Sequence, residues 1–318
     1  MIAVTGEALI DLVIGPDGHV AARPGGGPFN TARTIGRLGL APAFLGRLSR
    51  DSFGRLLRAS LDSDGVTLAV PQLAEEPTTL AAVDVDDSGA ARYSFYLAGT
   101  SSSALEHALL ASALPPGLTA LHAGSLALVM EPIATATELL IARDVPPAAL
   151  VMIDPNCRPE AIADRDTYQE RLRRILRRAD VVKVSAEDLG YLYSGVPAES
   201  AAGALLEHGP CLVLLTDGPR PAWAFLPGQE ISVEVPPVHV VDTIGAGDAF
   251  GGAFLAWWSG NDLGRLALRD GAAVRDALQA AAEVASLTCT KAGAEPPWLE
   301  EVAGPRWAVS RKPKQSLT

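Results

Sequence analysis

The 318-residue sequence predicts a three-layer α/β/α protein: a mostly parallel central sheet covered by helices on both faces, with a small β-sheet projecting from it. Three observations predict this. From Leu118 onward, short apolar runs alternate with helical patterns, which implies parallel strands joined by crossover helices. Thr78–Val85 and Ala91–Leu97 are joined only by the turn Asp86-Asp87-Ser88-Gly89, so this hairpin stands outside the alternation. Val238–Trp258, VHVVDTIGAGDAFGGAFLAWW, reads as a buried strand, a turn of small residues and a helix.

The elements follow in order. Ile2–Thr5 is a strand, and Ala8–Ile14 continues extended, interrupted by Asp11. That carboxylate is either an outward edge residue or one aimed into a cleft to accept hydroxyl hydrogen bonds. Gly25-Gly26-Gly27 precedes a helix carrying Ala32, Ile35 and Leu38; Asn30 near its start is a cap or a ligand contact. Ala43–Leu48 is a strand and Asp51–Ser63 a helix. The segment Ala8–Arg23 joins the hairpin in the small sheet.

In the regular half, Ala120–Gly124, Leu150–Asp154, Val181–Val184 and Leu212–Thr216 are strands. Pro132–Arg143, Asp166–Ala179, Glu187–Tyr193 and Ser200–His208 are the helices between them. Ala222–Leu226 and Ile231–Val235 form an antiparallel pair, and a long helix runs from Asp270 to about Lys291. Ligands of such sheets bind at the carboxyl ends of the strands. Asp154, Ser185, Asp188, Thr216, Asp242 and Asp248 all fall at or just beyond predicted strand ends, on one edge.

In the Val238–Trp258 stretch, a strand, the turn Thr243–Gly247 and a helix start leave backbone N–H groups unpaired, with the helix dipole behind them. That is an anion site. Asp248 at its mouth is either an N-cap or a base that takes a proton from a hydroxyl while the glycine amides hold phosphoryl oxygens. The motif by itself allows both; the convergence of polar residues on one edge favours the base.

Composition narrows the function. The net charge of −11 argues against nucleic acid or an anionic membrane as partner. Three separated cysteines make neither a disulfide framework nor a zinc site, and no run of 18 apolar residues occurs. A cytoplasmic protein is expected. No G-x-x-x-x-G-K-[ST] is present, which excludes a P-loop. Gly245–Gly251 is a poor dinucleotide fingerprint, because its third glycine is one residue late and no βαβ unit follows.

The motifs resemble a known family. Asp242–Phe250 (DTIGAGDAF) and Pro24–Gly39 (PGGGPFNTARTIGRLG) are similar to the two signatures of the ribokinase-like (PfkB-type) carbohydrate kinases. Gly6–Leu12 (GEALIDL) and Asp154–Pro159 (DPNCRP) resemble the fructokinase-type branch, and the matches span Gly6 to Gly293 in the family order.

The resemblance implies one ribokinase-like domain over 1–302 and a lid built from about 8–23 and 78–98; the tail, 303–318, is polar with one aromatic, Trp307, expected to dock on the body. The resemblance also implies transfer of the ATP γ-phosphoryl group to a primary sugar hydroxyl, fructose or a similar hexose. Ribose, a ketodeoxy sugar acid or a nucleoside are alternative acceptors, and a sugar-binding protein without turnover is the remoter reading. Asp248 would be the base and Gly245, Ala246 and Gly247 the anion hole. Asp11, Gly25, Gly26, Asn30 and Arg158 would bind the sugar, with Gly25–Gly27 also a lid hinge. Asn156, Lys183, Ser185, Thr216, Gly218 and Thr243 would serve the nucleotide. Asp188 would serve Mg²⁺, and Asp242 and Gly293 a monovalent cation such as K⁺. The lid would also clasp a homodimer.

Three departures from the pattern stand out. Asp188 replaces the glutamate of N-x-x-E, Pro221 replaces the second glycine of T-x-G-x-x-G, and Leu97 sits where relatives often place an arginine. The last weakens the case for an acidic sugar.

Overall fold

A computed structural model describes residues 1–85, 91–302 and Trp307. The expected turn at 86–89 and the tail from 303, other than Trp307, lie outside the described residues. Trp307 itself is buried in the core.

The main sheet contains β1 (Ile2–Thr5), β4 (Ala43–Leu45), β5 (Thr67–Leu68), β8 (Ala120–Gly124), β9 (Leu150–Asp154), β10 (Val181–Ser185), β11 (Leu212–Thr216), β12 (Ala222–Leu226) and β13 (Gln229–Val233). Their order is β13-β12-β11-β10-β9-β8-β1-β4-β5, parallel except for the β11–β12 and β12–β13 pairs. The small sheet is β3-β2-β6-β7, built from β2 (Leu9–Ile14), β3 (Val20–Gly25), β6 (Thr79–Val85) and β7 (Ala91–Tyr96).

Alternation along the strands explains the layers. Val4, Met152, Val181 and Leu214 face one core; their neighbours Ala3, Val151, Val182 and Val213 face the other. A buried parallel strand must be apolar on both faces, so these runs read as continuous hydrophobics. The first core lies against helices α1 (Gly27–Arg37), α2 (Ser52–Ser63), α8 (Ala246–Gly260) and α9 (Gly271–Thr288). The second lies against α3 (His107–Ser112), α4 (Ile133–Leu139), α5 (Arg165–Leu176), α6 (Ala186–Leu192) and α7 (Ala198–Leu205).

Helix α8 is buried from Ala249 to Trp258, as a helix apolar all round should be. Phe254 and Trp258 stack on it, their ring centroids 5.5 Å apart. Its crossing with α1 is close: a Cβ at Gly252 would stand 2.9 Å from the Thr31 carbonyl oxygen. This approach sets the first turns of α1 and α8 side by side.

One expected element is absent. Val238–Val241 is not a strand, and Val240 and Val241 are 55% and 56% exposed. The sheet edge beside β11 belongs to the β12–β13 hairpin, so the chain returns outside the sheet, where the Val241 N–H donates to the Cys289 carbonyl (2.8 Å). The run is apolar because Val238 and Val240 line a cavity. Asp242 therefore follows a loop and not a strand.

Candidate active site

The sheet order reverses between β1 and β8, the place where a cleft opens at the carboxyl ends of the strands. A cavity of about 730 Å³ lies there. Glu7 follows β1, Ser125 follows β8 and Asn156 follows β9, and all three line it with Thr216 at the end of β11.

The glycine turn forms one wall. Gly245 is the residue before α8, at φ 77°, where a side chain is strained; a Cβ there would also meet the Ala294 Cβ at 2.5 Å. The N–H groups of Gly245 and Gly247 find no partner among the described residues, while that of Ala246 donates to the Thr243 carbonyl at 3.2 Å. Asp248 is the third residue inside the helix and caps nothing. Its Oδ2 accepts from Asn30 Nδ2 at 2.9 Å and its Oδ1 from Asn156 Nδ2 at 3.4 Å. The cap alternatives for Asp248 and Asn30 are thereby set aside. Burial raises the Asp248 pKa, against the Asn30 hydrogen bond and the charges of Lys183 and Arg158.

Beside Asp248 stand Asp11 from the small sheet, Arg158 and Tyr93. Burial first, then the negative charge of Asp248, lifts Asp11 to about 6, while Arg158 opposes the shift. Of the two positions the sequence allows for Asp11, edge or cleft, the structure has the cleft. Gly25 ends β3 and Gly27 begins α1, so the glycine run joins the small sheet to the body.

On the far side, Lys183 is buried and paired with Asp154 at 3.0 Å. Ser185 and Asp188 form a capping box at the start of α6, and Asp188 Oδ1 also accepts from the Cys157 N–H at 2.7 Å. Both Asp188 oxygens thus serve protein donors. Asp242 Oδ2 accepts from the Gly293 N–H at 2.8 Å, with Arg23 Nη1 at 3.9 Å from the same oxygen.

Most of the residues read from the sequence converge on the cavity: Asp11, Gly26, Asn30, Asn156, Arg158, Lys183, Ser185, Asp188, Thr216, Gly218, Thr243, Gly245, Ala246, Gly247 and Asp248. Gly25, Asp242 and Gly293 do not line it; Gly293 borders a smaller neighbouring cavity with Arg23.

The model of the pfkB family carbohydrate kinases matches residues 1–301. The chain belongs to the pfkB family of carbohydrate kinases. It is 34% identical over 261 residues to a fructokinase of Rhizobium leguminosarum bv. trifolii, covering 80% of this chain and 79% of that one. Among solved structures it is similar to fructokinase with bound ATP from Xylella fastidiosa, with a TM-score of 0.85 and 30% identity over 95% of this chain and 96% of the other. It is also similar to a fructokinase double mutant from Vibrio cholerae O395 in a fructose-, ADP- and potassium-bound form. There the TM-score is 0.81, with 29% identity over 92% and 93% of the two chains.

This pfkB kinase has site residues that sequence reasoning passed over. Glu7 is 1% exposed, and burial lifts its pKa from 4.5 to about 7, with the charge of Asp248 adding to the rise. Its Oε1 accepts from the Gly27 N–H at 3.1 Å. Ser125, at φ 56°, lines the cavity in a backbone conformation uncommon for non-glycine residues. Glu7 lies inside the GEALIDL motif, so a signal existed; Ser125 had none.

Proposed function

We propose that this kinase transfers the γ-phosphoryl group of ATP to a primary hydroxyl of fructose or a similar hexose. The observation that carries the reading is Asp248, held by two amide side chains beside the unpartnered N–H groups of Gly245 and Gly247, in one cavity.

The acceptor sits against Asp11, Asn30 and Arg158, with its reactive hydroxyl at Asp248. Asp248 accepts the hydroxyl proton as the oxygen attacks phosphorus. Burial raises the Asp248 pKa, which makes the carboxylate a stronger base, while the Asn30 amide and the Lys183 and Arg158 charges act in the opposite direction. The turn amides and the α8 dipole meet the charge that gathers on the phosphoryl oxygens. Thr216, Gly218, Thr243 and the Asn156–Ser185 side of the cavity hold the rest of the nucleotide. Closure of the small sheet over the acceptor excludes water, with Gly25–Gly27 as its hinge.

Among the described residues, no three His, Cys, Asp or Glu side chains cluster as a metal site. Mg²⁺ would be held mainly by the substrate phosphates and water, where it would neutralise phosphate charge. Asp188, with its oxygens engaged, would reach it only through water. Asp242 and Gly293 would adjoin a monovalent cation, with Arg23 as a competing charge. A homodimer through the small sheet completes the reading, and Val20 and Tyr96 are exposed on it.

The test is ADP release on incubation with ATP, Mg²⁺ and single sugars: fructose, glucose, ribose, a ketodeoxy sugar acid and a nucleoside. Fructose should give the highest kcat/KM. ADP release independent of any sugar would overturn the kinase reading, and preference for another acceptor would overturn the hexose assignment alone.

A further inference from the structure

The donor half of the cavity has a second wall that the phosphoryl chemistry does not use. Ala282, Ala285, Ser286 and Cys289 line the cavity from α9 and its end, at spacings of three, four and seven residues that share one helical face. Pro236 and Pro237 line it too, and neither has an N–H to offer. With the acceptor on the Asp11–Asn30 side and the phosphate on the glycine turn, the nucleoside is left with this apolar wall. A heteroaromatic ring buried there needs a donor for its ring nitrogens.

Ser286 is the group that can supply one. It is 4% exposed, and its Oγ has no hydrogen-bond partner. The comparison with Thr288 on the same helix is informative, because that hydroxyl turns back to the Val284 carbonyl at 2.8 Å. A helical hydroxyl ordinarily satisfies itself in this way when no other partner is at hand. A buried hydroxyl without a partner lowers stability, and native structures hold few of them without a reason.

We propose that Ser286 reads the base of the donor nucleotide: its hydroxyl, closed to solvent as it stands, turns about its Cα–Cβ bond to donate to a ring nitrogen while the small side chains of α9 and the two prolines enclose the ring. The inference rests on the kinase reading and names the residue that gives it base selectivity.

Equilibrium binding to the intact protein tests it. Ser286→Ala should bind ADP roughly five- to tenfold more weakly, the effect of one hydrogen bond. The same variant should bind inorganic tripolyphosphate as the unaltered protein does. Its ligand-free Tm should be equal or higher, because an unsatisfied group has been removed. Of 1-deaza-, 3-deaza- and 7-deaza-ADP, one should bind the unaltered protein roughly five- to tenfold more weakly than ADP and lose that deficit in Ser286→Ala. Unchanged ADP affinity in the variant would overturn the proposal, as would equal losses for ADP and tripolyphosphate. Failure of the unaltered protein to bind ADP at all would instead bring down the kinase reading on which it rests.

Discussion

Asn30 donates its side-chain amide to the carboxylate of Asp248 at 2.9 Å across 218 positions of sequence. The bond exists because α1 and α8 cross so closely at Gly252 that their first turns share one cleft. It fixes the orientation of Asp248 and leaves its other oxygen to a longer contact with Asn156.

Asp248→Asn should lower kcat roughly 10²–10⁴-fold, the usual contribution of a positioned base, with little change in sugar affinity. Steady-state kinetics and sugar binding measured on the same preparation check this. Near-full kcat in the variant would remove Asp248 from the mechanism.

Sugar affinity should depend on pH through Asp11. Burial raises its pKa to about 6, so the carboxylate is lost as pH falls through that value, and with it an acceptor for sugar hydroxyls. KM for the sugar should therefore rise below about pH 6, while in Asp11→Asn it should be high and flat. A KM rise of equal size in both proteins would assign the titration to another group.

Glu7 makes a prediction about stability. Its folded pKa of about 7 exceeds its usual 4.5, so between these values the folded state binds more protons than the unfolded one. Stability from this group is then full below pH 4.5 and falls as pH rises towards 7. Asp11 and Asp154, both raised to about 6 by burial, act in the same direction. Ligand-free Tm measured across pH 4.5 to 7 should decline less in Glu7→Gln than in the unaltered protein; parallel curves would contradict the shift.

A fourth prediction concerns the support behind the anion turn. Arg33 Nε donates to Asp64 Oδ2 at 2.6 Å, and its Nη1 to the carbonyl of Ala294, the residue packed against Gly245. Arg37 shares Asp64 at 2.9 Å. Glu295 pairs with both arginines as well, 3.1 Å from Arg33 and 2.7 Å from Arg37, but it is half exposed whereas Asp64 is buried. Asp64→Ala would remove the buried anion of this network and should cost about 3–5 kcal/mol, since breaking a buried pair strands charge. Urea denaturation measures it, and a loss below about 1 kcal/mol would show that Glu295 and water suffice for both guanidinium groups.

The misreadings have particular physical causes. Val238–Val241 has the composition of a buried strand, but Val238 and Val240 line a cavity and Val241 is exposed. Apolar composition alone does not say whether a run enters a sheet or borders a cleft. For Asp248 the sequence leaves the cap open beside the favoured base, and the cap is set aside once Gly245 takes the position before the helix. Ser286 went unread because an isolated hydroxyl carries no periodicity, and Glu7, though inside the GEALIDL motif, is marked out only by its burial beside Asp248.

The sequence by itself determined the alternation of strands and helices, the separate hairpin, the glycine turn and the acidic residue beside it. These depend on local periodicity and on the backbone freedom of small residues, which neighbouring positions declare. Only the tertiary structure decided that Asn30 and Asn156 hold Asp248, that Asp11 faces the cleft, and that Glu7 is buried with a raised pKa. Such facts depend on which distant groups share a low-dielectric space, and that is settled by how closely α1 packs on α8 and where the sheet order reverses.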